Sequence, residues 1–115
     1  MIESKPRFIQ AIIPFEGAGL DRPVPLPGLV YTVPRDKRAQ LIYLRAGNSS
    51  GELISLAILQ NGDAIRLFPV GARSSIHVPL AVVEDIQPDQ RIELTVAAPA
   101  GVTGTAVVDI GMLEI

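Results

Sequence analysis

Residues 52–68 read ELISLAILQNGDAIRLF, two apolar runs separated by Asn61-Gly62. A two-residue type I′ turn needs positive φ at both central positions, which asparagine and glycine tolerate best. This dipeptide between apolar runs therefore marks an antiparallel hairpin, with strands over 52–60 and 63–68.

The same texture extends outward in both directions. Strand-forming runs lie at 7–13 (RFIQAII), 29–33 (LVYTV), 38–46 (RAQLIYLRA), 75–80 (SIHVPL), 91–98 (RIELTVAA) and 105–115 (TAVVDIGMLEI). Between them stand turn-forming clusters: PRDK at 34–37, GNSSG at 47–51, EDIQPDQ at 84–90 and PAGVTG at 99–104. Ten glycines and ten prolines are spread as punctuation, and no long window carries a helical period. Pro79 interrupts SIHVPL and assigns it to a sheet edge or a strand end. About eight strands with short connections predict an all-β fold, an antiparallel two-sheet sandwich of jelly-roll type. An immunoglobulin-like sandwich is the alternative, although the tryptophan and cysteine pair of antibody domains are missing.

A chain of 115 residues is expected to form one domain spanning 1–115. Within it, residues 14–28 (PFEGAGLDRPVPLPG) carry Pro14, Pro23, Pro25 and Pro27. So many residues without an N–H disfavour a regular ladder, so the stretch reads as an extended arm over the domain or over a neighbouring chain. LIYL (41–44), LISLAIL (53–59) and AVVDIGMLEI (106–115) are apolar on both faces, where a strand with one wet face alternates. Either the arm covers these strands or an outer sheet face meets another subunit; an apolar fraction of 48% favours the second.

Composition narrows the function classes. With no cysteine, disulfides, thiolate metal sites and cysteine nucleophiles are excluded; a reducing compartment or a particle without crosslinks fits. Ten basic and twelve acidic residues give a formal charge of −2 and a pI near 5.3. The basic residues are dispersed and only five aromatics are present, two tyrosines and three phenylalanines, which argues against nucleic acid. Mean hydropathy is +0.35, yet no apolar run approaches the ~18 residues of a spanning helix. MIESKPRFIQ lacks the order of charges of a signal peptide. The expected setting is the cytoplasm or a virion.

His77 is the single histidine. By period two, Ile76, Val78 and Leu80 share one face, leaving Ser75, His77 and Pro79 on the other. Ser75 and His77 stand about 7 Å apart along a strand, too far for a serine–histidine pair, and GARSS is not a nucleophile elbow. Gly71, His77 and Glu84 are spaced as in the first cupin motif, G(X)5HXH(X)3-4E(X)6G, and about twenty residues here resemble it. The resemblance implies a jelly-roll barrel with His77 and Glu84 as metal ligands. Pro79 stands where the second histidine belongs and Arg91 where the closing glycine belongs. One imidazole and one carboxylate do not fill a three- or four-ligand site, so no metal or other cofactor is assigned, and His77 reads as a polar strand residue.

Glu84, Asp85 and Asp89 form an acidic stretch without calcium-loop spacing. EGAGLDR is followed by prolines instead of the helix that a dinucleotide loop needs. Asn48-Ser49-Ser50 has the form of a glycosylation sequon but reads as a turn. Arg45, Arg66 and Arg73 lie in or beside strands among apolar neighbours, Arg66 sharing a face with Ala64 and Phe68. Such arginines pair with carboxylates across a sheet or an interface, and all three are candidate inter-subunit contacts. The expected function is a non-enzymatic structural or assembly protein. It would be a self-associating sandwich, a trimer or other closed ring, acting as an accessory or decoration subunit of a larger assembly such as a phage particle, by analogy of fold and size. A ligand- or carbohydrate-binding module and a cupin-like enzyme are the alternatives.

Overall fold

A computed structural model describes residues 4–115, with the backbone alone at 81–83. Eight strands follow in order: β1 (Lys5–Glu16), β2 (Val24–Thr32), β3 (Ala39–Asn48), β4 (Ile54–Gln60), β5 (Asp63–Val70), β6 (Ser74–Ile86), β7 (Arg91–Ala97) and β8 (Thr103–Glu114). No helix occurs among the described residues. The strands form two antiparallel sheets of four, ordered β1-β8-β3-β6 and β2-β7-β4-β5. This is the strand order of a jelly roll, and it differs from the immunoglobulin-like arrangement.

The pairing is concentric about the Asn61-Gly62 turn. Gln60 faces Asp63, Ala39 faces Ile86, Val24 faces Val96 and Lys5 faces Glu114. The chain is thus one long antiparallel double strand rolled into two layers. The turn itself has positive φ at both central residues, 50° at Asn61 and 91° at Gly62, as a type I′ hairpin demands. Asn61 also anchors the turn to β7. Its backbone N–H donates to the Arg91 carbonyl at 2.8 Å, its Oδ1 accepts from the Arg91 N–H at 2.9 Å, and its amide donates to Gln90.

Between the layers lies one apolar core. Leu41, Leu44, Ile54, Leu56, Ile58, Ile92 and Ile110 are fully buried there, each contributing about 1.5–3 kcal/mol by leaving water. Two of the three runs that read as apolar on both faces have a physical explanation. In β3 the ladders to β6 and β8 both shift register between Leu41 and Tyr43, a bulge that turns Leu41 and Leu44 to the same interior. In β4 the outward positions carry small residues, Ser55 and Ala57, alongside Leu59.

The proline-rich stretch departs from the expected arm. Pro14 lies inside β1, and Val24–Thr32 is a strand of the second sheet. Among the described residues its one ladder neighbour is β7, and the register breaks between Pro25 and Val30. An edge position tolerates the missing N–H groups, while Leu26 and Leu29 insert into the core. The segment therefore closes its own sandwich.

Asn48, expected in a loop, ends β3 and is 4% exposed. Its amide donates to the carbonyls of Glu52, Gly71 and Val70 at 2.8, 3.0 and 3.3 Å. Its Oδ1 accepts from the backbone N–H and hydroxyl of Ser50. A buried amide satisfied in this way fixes the loop that carries the chain from the first sheet to the second.

Candidate functional site

The outward face of the first sheet brings exposed polar and apolar side chains of four strands into register. Register across β1, β8, β3 and β6 sets out three adjacent rows: Phe8, Gly111, Tyr43, Pro79; Gln10, Asp109, Arg45, His77; and Ile12, Val107, Gly47, Ser75. The middle row is polar and the outer rows are apolar or small. Phe8, Ile12 and Val107 are 55%, 76% and 47% exposed.

Tyr43 organises the face. Its ring lies over Gly111, where any Cβ would collide with it. Its hydroxyl donates to the Asp109 carboxylate, 3.2 and 3.3 Å from the two oxygens. Gln10 donates to the same carboxylate at 3.1 Å. The Arg45 guanidinium carbon stands 5.1 Å from the ring centroid, and the His77 ring meets Tyr43 edge-on at 5.9 Å. Burial, the Asp109 charge and their hydrogen bond raise the Tyr43 pKa above 10. Beside this cluster lies an open depression of about 830 Å³, lined by Arg45, Gly47, Ser75, His77, Val107 and Asp109.

His77 faces outward with Ser75 and Pro79, as period two implies. Glu84 does not join it, pairing instead with Arg66 at 2.9 Å. That ion pair links β5 of one sheet to β6 of the other. Arg66 lines up with Phe68 but not with Ala64, because the β4–β5 ladder shifts register between Ile58 and Leu59. Asp85 pairs with Arg38 at 3.1 Å and Asp89 with Arg35 at 3.7 Å. Each carboxylate of the acidic stretch thus has its own arginine. Among the described residues no group of three or more His, Asp or Glu side chains is placed to hold a metal ion. Arg73 occupies the turn before β6 with φ 48°, apart from the rows that contain Arg45.

Sequence reasoning missed Tyr43, Asp109 and Gln10, which come together only through the ladder. It also missed Glu114, 6% exposed at one end of the sandwich. The Tyr31 hydroxyl donates to its carboxylate, and Arg7 Nε donates to it at 3.3 Å. The Tyr31 bond, aided by Arg7, holds the Glu114 carboxyl below its usual range against the opposing effect of burial. Burial and the neighbouring carboxylate push Tyr31 upward in turn. This cluster ties β1 and β8 to β2 across the layers.

No protein-family model matches the chain, and no curated protein matches it. Among solved structures it is similar to the CBM36-1 domain of a multidomain xylanase from the hindgut metagenome of Trinervitermes trinervoides. That likeness has a TM-score of 0.58 at 15% identity, over 95% of this chain and 96% of that one. A protein of the disulfide-linked pili that form Bacillus endospore appendages gives 0.51 at 13% identity, over 97% and 88%. PirA gives 0.50 at 8% identity, over 94% and 93%. At these identities the likeness is one of fold. Among the described residues no helix is long and apolar enough to cross a membrane.

Proposed function

We propose that the protein is a non-enzymatic assembly module that self-associates through the outer face of the β1-β8-β3-β6 sheet, as an accessory or decoration subunit of a larger structure. One observation carries this reading: Phe8 on one side of the polar row and Ile12 with Val107 on the other stand exposed on that face. Apolar side chains clustered beside a few ordered polar ones are the composition of a contact surface. Sizing with light scattering tests it. A mass that is a multiple of the chain, reduced by Ile12→Asp with Val107→Asp, is expected; a monomer at the highest attainable concentration overturns it.

A ligand-binding module is the second reading, favoured by the open depression beside Arg45, His77 and Asp109. Glycan-array binding that Arg45→Ala abolishes in a strictly monomeric protein would establish it over the first.

A further inference from the structure

Two of the three rows on the outer face of the first sheet, the polar row and the Ile12 row, are self-complementary about a midline between β8 and β3. In the polar row the acid, Asp109, lies on β8 and the base, Arg45, lies directly opposite it on β3. In the adjacent row the large residues, Ile12 and Val107, occupy β1 and β8. The small ones, Gly47 and Ser75, occupy β3 and β6. The space above Gly47 is open: the nearest atom to a Cβ placed there is the chain's own Val107 at 3.7 Å. The comparable gap above Gly111 is already filled by Tyr43.

We infer that a second copy of this chain covers the face, packed back to back about a two-fold axis parallel to the strands between β8 and β3. The inference rests on the self-association proposed above and gives it a geometry. Rotation about that axis lays β8 of one copy over β3 of the other, and β1 over β6. Asp109 then faces Arg45 of the second copy, twice by symmetry. Val107 meets the gap at Gly47, and Ile12 meets Ser75. Sheets packed face to face stand about 10 Å apart and cross at about 30°, so residues nearest the axis keep this register best. A two-fold axis across the strands through the polar row would instead set Asp109 on Asp109 and Arg45 on Arg45, which like-charge repulsion disfavours. A single patch complementary to itself closes as an isologous pair.

Charge reversal tests the pairing. Sedimentation or native mass measurements are made on the wild type, on Arg45→Asp, on Asp109→Arg, on an equimolar mixture of the two variants, and on the double exchange in one chain. The expected results are a wild-type dimer, single variants weakened at least ~100-fold, and dimers restored in both the mixture and the double exchange. Because Asp109 also receives Tyr43 and Gln10, a second measurement avoids altering it. The chain has no cysteine, so Val107→Cys chains mixed with Gly47→Cys chains should be joined by a short thiol-to-thiol crosslinker, spanning sheets about 10 Å apart, that joins neither variant alone.

Single variants that dimerise like the wild type, a mixture that stays monomeric, or crosslinking within one cysteine variant but not in the mixture would each overturn this geometry while leaving self-association intact. A wild-type monomer would overturn both.

Discussion

The ring of Tyr43 lies over Gly111, and a Cβ on that glycine would stand within 2.7 Å of three ring atoms. The position has an ordinary backbone conformation, so steric space alone requires glycine there. Gly111→Ala should displace Tyr43 and loosen its bond to Asp109, at a cost of about 1–3 kcal/mol from overpacking. Chemical denaturation reads the loss. An unchanged midpoint would mean that the ring moves aside freely.

Glu114 supplies an acid-sensitive contribution to stability. Its carboxyl ionises below the ordinary glutamate value of about 4.5 in the folded protein, so the unfolded chain binds the proton more readily. Its stabilising effect is complete above about pH 4.5 and is lost as pH falls through the folded value. Glu114→Gln should cost about 1–3 kcal/mol at neutral pH by weakening the Tyr31 and Arg7 bonds. It should also flatten the decline in stability on acidification, measured by thermal unfolding across that range.

The two tyrosines should titrate late. Both Tyr31 and Tyr43 are raised above 10, chiefly by burial and then by the adjoining carboxylates Glu114 and Asp109. At pH 10 the folded protein should therefore show much less phenolate absorbance than the same chain unfolded in denaturant. For groups raised in the folded state, stability is fully present below the unfolded value near 10 and falls as pH rises through the folded ones. Equal absorbance in the folded and unfolded samples would contradict the bonds of the two hydroxyls to Glu114 and Asp109.

Asn61 combines two roles in the central turn, a positive φ and side-chain bonds to Arg91 and Gln90. Asn61→Ala removes the bonds and places an ordinary residue in the left-handed region, for a loss of about 2 kcal/mol. Asn61→Gly should recover the conformational part alone. Denaturation midpoints of the two variants separate the contributions.

Much of the fold was legible because its signals are local. The Asn-Gly turn, the alternation in SIHVPL and the spacing of Gly and Pro clusters gave eight strands in order and the jelly-roll class, although the first half of β2 reads as an arm and the end of β6 as a turn. Local alternation also oriented His77 correctly. What could not be read depends on register. The bulge between Leu41 and Tyr43 reverses which residues of LIYL face inward, and the shift beside Ile58 separates Arg66 from Ala64. Pro25 and Pro27 look incompatible with a strand until the strand proves to lie at an edge. The Tyr43 cluster joins residues from β1, β3, β6 and β8, whose adjacency no period within one strand reveals.

The concentric pairing about Asn61-Gly62 has a kinetic consequence. If the innermost hairpin closes first, each later strand pair need close only the short remaining segment beyond the one already made. If β1 met β8 first, nearly the entire chain would have to be looped at once, at a greater entropic cost. The turn is thereby the natural nucleus, and zipping outward from it offsets part of the slowness expected of a topology built from such distant partners.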